Sequence, residues 1–267
     1  MGALRLLQGE RSGGLWLLIA AGFAVAALAK LTAALLCGAL VAFALALGAL
    51  LQGRMLLDAL PRGRMLPPAA GAFVLAAFGC LPYVALALEY GSPAPLTDGQ
   101  TEMLASKLAN LPEWRDQRYG FIAYLGHFAW SLLRLWPPSP PQTRLQLALL
   151  AMPALCFAIA LAGMARAAFV VRHGAEDTVA TFVLCGGLAI GTVMVMHVGF
   201  TYERHLETGW LRGVYPRYYF PLLPVLPAAC AWLVSSCGPG RHATWLAGAL
   251  LALAIGYDLL RRLAVLL

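Results

Sequence analysis

The sequence predicts an all-α polytopic membrane protein. Its 267 residues are 61% hydrophobic and 12% charged, and that charged share is roughly half of what a soluble domain carries. The apolar residues also gather into runs of about 20, the length that an α-helix needs to cross a bilayer. Because a chain of this composition has too little polar surface to cover a globule in water, the soluble classes of protein are excluded.

The chain is predicted to form one transmembrane domain, residues 1–267, with about seven spans. The spans are expected at 14–29, 31–51, 69–88, 145–165, 178–198, 219–236 and 243–260. Gly, Ala and Leu dominate the first two, and small residues let helix backbones approach closely in lipid. We therefore expect these two spans to form an antiparallel hairpin, with Lys30 in a tight turn at the membrane surface.

Two segments between the spans are large enough to carry a site. The first, residues 89–144, has a capping-box spacing at 97–100 followed by leucines at helical intervals, and a second amphipathic stretch at 121–135. Both patterns predict short interfacial helices at the membrane surface. The second segment, residues 199–217, brings aromatic, acidic and basic side chains together directly before a proline-rich apolar run.

The basic residues predict the orientation of the chain. More arginines fall in the inner segments than in the short outer ones when the N-terminus is placed inside, and the loop 54–64 holds three arginines and one acid. Positive charge favours the cytoplasmic side. We therefore expect a cytoplasmic N-terminus in the plasma (inner) membrane, with Lys30 and both long segments on the outer face. Membrane orientation explains the net charge of +7. Nucleic acid is not expected as a partner, because the sequence shows no soluble domain with a basic face.

The stretch 209–227 and the isolated charge of Lys30 predict a site for a lipid phosphate or another substrate. An arginine presents a planar fork of donors that suits phosphate oxygens. Prolines in this stretch remove backbone donors, and irregular backbone at membrane depth is tolerated only against protein or a water-filled cavity. Membrane anchoring is the alternative for each residue, since interfacial arginines and tyrosines commonly serve it. The candidates are Lys30, Arg204, His205, Arg212, Arg217 and Tyr218.

Three carboxylates on the outer side are candidate general bases: Asp98, Glu102 and Glu203. Capping and helix-dipole stabilisation are the first explanation of Asp98 and Glu102, and a solvated loop charge is that of Glu203, so no residue is assigned as catalytic. The six cysteines include no CxxC pair, which favours small buried side chains over metal ligands or disulfides. Neither a metal nor a cofactor is expected.

The order of these features resembles the C-terminal half of the C-type integral-membrane glycosyltransferases. The residues that carry the resemblance are Ala-Ala-Leu-Ala-Lys at 26–30 and Pro-Arg-Tyr-Tyr-Phe-Pro-Leu-Leu-Pro at 216–224, with a basic inner loop and a long outer segment between them. The family includes protein mannosyltransferase and aminoarabinose transferase relatives, which move a sugar from a polyprenyl-phosphate donor on the outer or lumenal face. The resemblance implies that Lys30 and Arg217, and also Arg212, lie near the lipid phosphate.

The chain departs from the family pattern at the catalytic carboxylate. That residue belongs to the family's first outer loop, which here is a turn holding only Lys30, and no acid occurs between Glu10 and Asp58. The expected function is therefore that of a polyprenyl-phospho-sugar-dependent glycosyltransferase whose catalytic N-terminal half lies upstream of Met1 or in a partner subunit. The alternative is a non-enzymatic membrane subunit that binds lipid or a partner protein.

Overall fold

The computed structural model describes residues 2–8, 10, 12–51, 66–93, 118–133, 144–173, 177–208 and 225–236, with positions 245, 248, 249 and 252. Within these ranges the chain forms eight helices and no strand. The helices are α1 (Gly2–Leu7), α2 (Gly13–Ala29), α3 (Leu31–Leu51), α4 (Leu66–Tyr90), α5 (Phe121–Leu133), α6 (Arg144–Arg172), α7 (Thr178–Thr208) and α8 (Val225–Ser236). Helices α3, α4, α6 and α7 are long and apolar enough to cross a membrane. The all-α polytopic class is thus confirmed, and the protein is an integral membrane protein.

Each predicted span agrees with a helix where the structure describes it. Four of the spans lie within α3, α4, α6 and α7, and the first forms the 17-residue helix α2. The span at 219–236 is described from Val225 as α8, whereas the one at 243–260 lies outside the described residues apart from isolated positions. Of the two amphipathic helices, the first lies outside the described residues and the second is α5.

Helices α2 and α3 form the predicted hairpin. Ser12 caps the start of α2, where its hydroxyl accepts a hydrogen bond from the Leu15 amide at 3.2 Å, satisfying one of the free donors of the first turn. Lys30 alone separates α2 from α3. The two helices stay in close contact beyond the turn, since a Cβ added at Gly38 of α3 would lie 3.3 Å from the Phe23 ring of α2. The small residues of both helices allow this approach.

Helix α4 packs parallel to α2 through a seam of small residues. A Cβ added at Gly79 would lie 2.8 Å from the Cα of Ala24, so only glycine permits this separation of the two backbones. Further along the seam in the same direction, the Tyr83 hydroxyl donates a hydrogen bond to the Ala27 carbonyl. This bond ties the last turns of α4 to the end of α2, next to Lys30.

Two of the buried clusters join α3 and α7, which run antiparallel. Leu36 and Val193 belong to one buried cluster, and Ala44 and Cys185 belong to another. The beginning of α3 therefore lies level with the later turns of α7. Helices α6 and α8 pack on the other side of α7 and on each other. We call the end of the bundle that holds the α2–α3 turn and the last turns of α7 the Lys30 end.

The opposite end, where α7 begins, is closed by a capping carboxylate, and we call it the Asp177 end. One Asp177 oxygen accepts from the Val179 and Ala180 amides, both at 2.9 Å, and the other accepts from the Trp232 indole at 2.8 Å. The Arg166 guanidinium donates to the Ser236 hydroxyl at 2.8 Å. These hydrogen bonds join α8 to both α7 and α6.

The electrostatics of Asp177 follow from these partners. Burial alone would raise the pKa of the carboxyl group, but the hydrogen bonds from the Ala180 amide, the Trp232 indole and the Val179 amide outweigh that effect. The pKa of Asp177 is therefore lowered from its ordinary value, because the donors favour the charged form.

Candidate functional site

Lys30 is an exposed residue that forms the whole turn between α2 and α3. Its backbone is extended, with φ −170° and ψ 139°. Its amide donates to the Ala26 carbonyl at 2.9 Å, and its carbonyl accepts from the Ala34 amide at 3.1 Å. Because the same residue completes the last turn of α2 and begins the first turn of α3, the chain reverses while its backbone groups stay paired.

An apolar groove of about 540 Å³ begins immediately after Lys30, and its wall includes the next residue, Leu31. Helices α3, α4 and α7 supply most of the wall, and Phe23 of α2 and Pro93 complete it. The lining includes Leu31, Leu35, Val84, Ala87, Val193 and Met196. A groove with these walls suits an apolar chain and offers few partners to a polar metabolite.

Tyr83 lines the groove without making it polar. Its hydroxyl donates to the Ala27 carbonyl, so the polar atom is used between α4 and α2 while the ring belongs to the groove. Thr192 is the other hydroxyl-bearing residue of the lining. The described lining of the groove is therefore apolar, and the cationic residue Lys30 directly precedes its first α3 residue, Leu31.

His205 lies fully buried in the last turns of α7, where it fastens α5 to that helix. Its Nε2 accepts a hydrogen bond from the Tyr119 amide at 3.0 Å. The imidazole stacks on Tyr124, with ring centroids 5.4 Å apart and planes at 22°, and on Tyr119 at 5.9 Å and 27°. The Tyr202 ring lies 6.4 Å away. His205 is thus enclosed by aromatic rings instead of facing an open site.

Helix α5 runs antiparallel along α7 from this cluster. Phe121 meets Tyr202 edge to face at 5.2 Å, and Phe128 meets the His197 ring at 5.7 Å. Tyr124 and Phe128 are buried in the cluster that also holds Leu36. The apolar face predicted from the sequence therefore contacts protein along α7.

The hydroxyl of Tyr124 is buried with its ring. It makes no hydrogen bond of normal geometry to any residue that the structure describes. Burial raises the pKa of this phenol, and the neighbouring Thr201 hydroxyl offsets only part of that effect. The Tyr124 ring thus carries the packing of α5 on α7, and its hydroxyl adds little to it.

The other two predicted site residues on α7, Glu203 and Arg204, lie between Tyr202 and His205 in the sequence. Arg204 is half-buried, and its guanidinium carbon lies 4.3 Å above the centre of the Phe200 ring, a cation–π geometry. Glu203 is exposed. Four predicted site residues therefore lie at the Lys30 end: Lys30, Glu203, Arg204 and His205. Of these, His205 is fully buried and has no access to solvent.

The remaining predicted site residues lie outside the described residues and stay predictions. They are Asp98, Glu102, Arg212, Arg217 and Tyr218. The site that can be built from described residues therefore consists of Lys30, the groove and the last turns of α7.

Sequence reasoning missed the roles of Tyr119 and Tyr124. Tyr124 lies three residues after Phe121 and four before Phe128, so helical spacing places it on the same face as these two residues. The spacing alone could therefore have added Tyr124 to the predicted apolar face. The Tyr119 contact with His205 joins residues 86 positions apart, and no local pattern predicts such a pair. The groove was missed for the same reason, because its walls come from four different helices.

Comparison of the chain with protein-family models, with curated proteins and with solved structures finds no match.

Proposed function

We propose that this protein binds a lipid phosphate of the polyprenyl-phosphate class at the Lys30 end. The observation that carries the proposal is the apolar groove of about 540 Å³ whose wall starts at the residue after an exposed lysine. The groove takes the first part of the apolar chain, and the Lys30 ammonium pairs with the phosphate. An ammonium is a compact donor suited to phosphate oxygens.

The two contacts contribute differently to binding. A lipid chain that leaves the bilayer for the groove exchanges one apolar surrounding for another, so the groove contributes shape and packing without a hydrophobic driving force. The Lys30–phosphate contact is charge-assisted and is expected to contribute about 1.5–3 kcal/mol. The phosphate therefore supplies the affinity, and the groove selects the kind of chain.

The orientation of the chain belongs to the same proposal. A cytoplasmic N-terminus places the Lys30 end on the outer face of the plasma membrane. The arginines of the loop 54–64 support this orientation. A lipid carrier presented on the outer leaflet would then reach the groove laterally.

Sugar transfer is the second candidate function, and the exposed carboxylate of Glu203 at the Lys30 end favours it. In that reaction the bond between the anomeric carbon and the phosphate oxygen breaks, and a bond from the acceptor oxygen to that carbon forms. The base takes the acceptor proton, and polyprenyl phosphate leaves with the electron pair. A partner subunit or an N-terminal half that supplies the base would serve the same reaction. Without such a base, the protein is a lipid-binding subunit.

The binding test uses the full chain in nanodiscs and a fluorescent polyprenyl phosphate. Lys30→Gln removes the charge and is expected to weaken binding roughly 10- to 100-fold, whereas Lys30→Arg should retain most of it. Arg172→Gln serves as the control, because it removes an exposed cation from the last residue of α6, at the Asp177 end of the bundle. Unchanged affinity in Lys30→Gln would return Lys30 to simple membrane anchoring.

A second pair of variants tests the groove on a single helix. Val84→Trp fills it, because Val84 lines the groove while remaining 51% exposed. Leu88→Trp, one turn later and 83% exposed, adds the same indole outside the lining. Loss of binding in the first variant alone supports the groove. Competition by polyprenol without phosphate and by phosphatidic acid distinguishes recognition of the chain from recognition of the phosphate.

The transfer test uses a polyprenyl-phospho-sugar and measures the release of polyprenyl phosphate. Release that disappears in Glu203→Gln while lipid binding persists assigns the base to Glu203. Binding with no release in the wild type supports the non-enzymatic subunit.

A further inference from the structure

We infer that the second half of α4, residues 83–90, is a movable wall of the groove, and that the Tyr83 hydroxyl holds this wall closed against α2. The helix bends at Pro82, and the open wall admits a lipid from the side. The inference rests on the proposed function, because it assigns an entrance to that binding site. Three features of α4 carry it: its uneven packing, the place of its proline, and the buried carbonyl that Tyr83 satisfies.

The two halves of α4 pack differently on the bundle. In the first half, Ala72 and Gly79 are buried, and a Cβ added at Gly79 would lie 2.8 Å from the Cα of Ala24 on α2. None of residues 80–93, all of which the structure describes, is buried, and Leu88 is 83% exposed. A segment with few buried contacts moves at a lower cost than a tightly packed one. The first half is therefore fixed, and the second half is the part that can move.

Pro82 lies between the two halves, inside the helix. Proline has no N–H to donate to the Phe78 carbonyl one turn earlier, and its ring crowds that carbonyl. Sharp bends in helices are concentrated at such positions. Residues 83–90 span about 12 Å, so a bend of about 20° at Pro82 moves the end of α4 by roughly 4 Å.

The part of α4 after Pro82 forms much of the groove. Tyr83, Val84 and Ala87 line it, and Cys80 lines it from before the proline. The opposite walls belong to α3 and α7, which buried clusters hold together. Movement of residues 83–90 away from these two fixed helices therefore widens the groove.

The Tyr83 hydroxyl opposes this movement. It donates a hydrogen bond to the Ala27 carbonyl, and Ala27 is 0% exposed. Because α2 ends at Ala29, this carbonyl is among the last of the helix, which have no donor within it. A buried carbonyl that loses its donor is unfavourable, so the closed position is the stable one. Tyr90 and Ser92 make further contacts at the end of α4, and the test variants leave both residues unchanged.

Distances between spin labels on the full chain in nanodiscs, without added lipid ligand, test the movement. The labels are carried by non-natural amino acids at Leu88 of α4 and Leu206 of α7, both exposed, so the native cysteines stay in place. Tyr83→Phe removes only the hydroxyl and should add a population in which this distance is longer by roughly 4 Å. A pair at Phe73 and Leu206 should keep its wild-type distance, because Phe73 lies in the packed half of α4.

A matched variant and two contrary results make this test decisive. Tyr124→Phe removes a hydroxyl that makes no hydrogen bond of normal geometry within the described residues and should give the wild-type distances. The same Leu88–Leu206 distances in Tyr83→Phe and the wild type would overturn the inference. Equal lengthening of both labelled pairs would also overturn it, since the whole of α4 would then have loosened.

Pro82→Ala tests the position of the bend. This substitution restores the missing backbone donor, so the double variant Tyr83→Phe/Pro82→Ala should return to the wild-type distance. A longer distance that persists in the double variant would refute Pro82 as the hinge.

The kinetics of lipid binding test the entrance. Fluorescent polyprenyl phosphate should associate and dissociate roughly 2- to 10-fold faster in Tyr83→Phe than in the wild type. The dissociation constant should change little, because the hydroxyl is lost from the free and the lipid-bound closed states alike. Weaker binding with an unchanged association rate would make Tyr83 a binding residue and overturn its role in closing the wall. Absence of lipid binding in the wild type would refute the lipid site, whereas the spin-label distances would still decide whether the wall moves.

Discussion

The two ends of the bundle hold their helices together with different chemistry. At the Asp177 end, a carboxylate accepts two backbone amides and the Trp232 indole. At the Lys30 end, the His205 imidazole accepts one amide and is stacked against tyrosine rings. Three hydrogen bonds to one carboxylate therefore hold the first end, whereas one hydrogen bond and the packing of aromatic rings hold the second.

The largest expected loss comes from removing the aromatic ring that holds α5 at the Lys30 end. Tyr124 is 0% exposed, so Tyr124→Ala leaves a large cavity and should cost about 3–5 kcal/mol of unfolding free energy. The loss of stability is followed as a fall in the midpoint of thermal unfolding, measured in the same detergent for every variant. Tyr124→Phe is the control and should melt like the wild type, because the hydroxyl makes no hydrogen bond of normal geometry within the described residues. If both variants lost equal stability, the hydroxyl and not the ring would be the important group.

The cap at the Asp177 end is expected to contribute less. Asp177→Ala removes the acceptors of two amides and the indole and should cost about 2 kcal/mol. Asp177→Asn keeps an acceptor oxygen and should lose less. Unfolding by denaturant, followed by tryptophan fluorescence, reports the loss directly, because Trp232 is one of the partners. A wild-type midpoint in Asp177→Ala would contradict the role given to the cap.

The pH dependence of this contribution follows from the hydrogen bonds that Asp177 accepts. The pKa of Asp177 is lowered in the folded protein, so its stabilising contribution is present above the unfolded value of about 3.9 and is lost only as the pH falls through the lower folded value. The stability difference between the wild type and Asp177→Ala should therefore be constant between about pH 5.5 and 7.5, the range in which histidine titrates.

The smallest expected effect is at the bond between α6 and α8. Arg166 donates to Ser236 on the exposed surface, where side-chain interactions contribute little. Arg166→Ala should therefore cost at most about 1 kcal/mol. Ser236→Ala should cost a similar amount, and the double variant should lose no more than the larger single loss if the two side chains act only through each other. Additive losses would mean that each side chain has other important contacts.

The helices of this protein were predictable because membrane spans depend on local composition. The runs that became α3, α4, α6 and α7 are visible as apolar stretches, and the isolated Lys30 between two such runs predicts the turn. The helical pattern of α5 was visible as well. An apolar face looks the same whether it meets lipid or protein, so its packing along α7 depended on Tyr202 and His205, which lie far away in the sequence.

The candidate site was less predictable for the same reason. Lys30 and Glu203 are exposed at one end, as their positions beside apolar runs suggested. The burial of His205 depends on Tyr119 and Tyr124, which arrive from another segment, so the sequence could not separate a buried histidine from a solvated one. Asp177 had a local pattern that was overlooked, since an aspartate directly before a helix is typical of an N-cap.

The one-residue turn at Lys30 has a consequence for how the protein enters the membrane. With a single residue between α2 and α3, neither helix can be inserted while the other remains in water, so the two must insert as a pair. In the orientation proposed above, with a cytoplasmic N-terminus, the lysine would cross the hydrocarbon region at a transient cost of about 2.5–3.5 kcal/mol at its centre, which the leucines, valines and phenylalanines of both helices offset at about 0.3–0.6 kcal/mol each. A second charge in this turn would raise the barrier to translocation, although the folded hairpin could accommodate it.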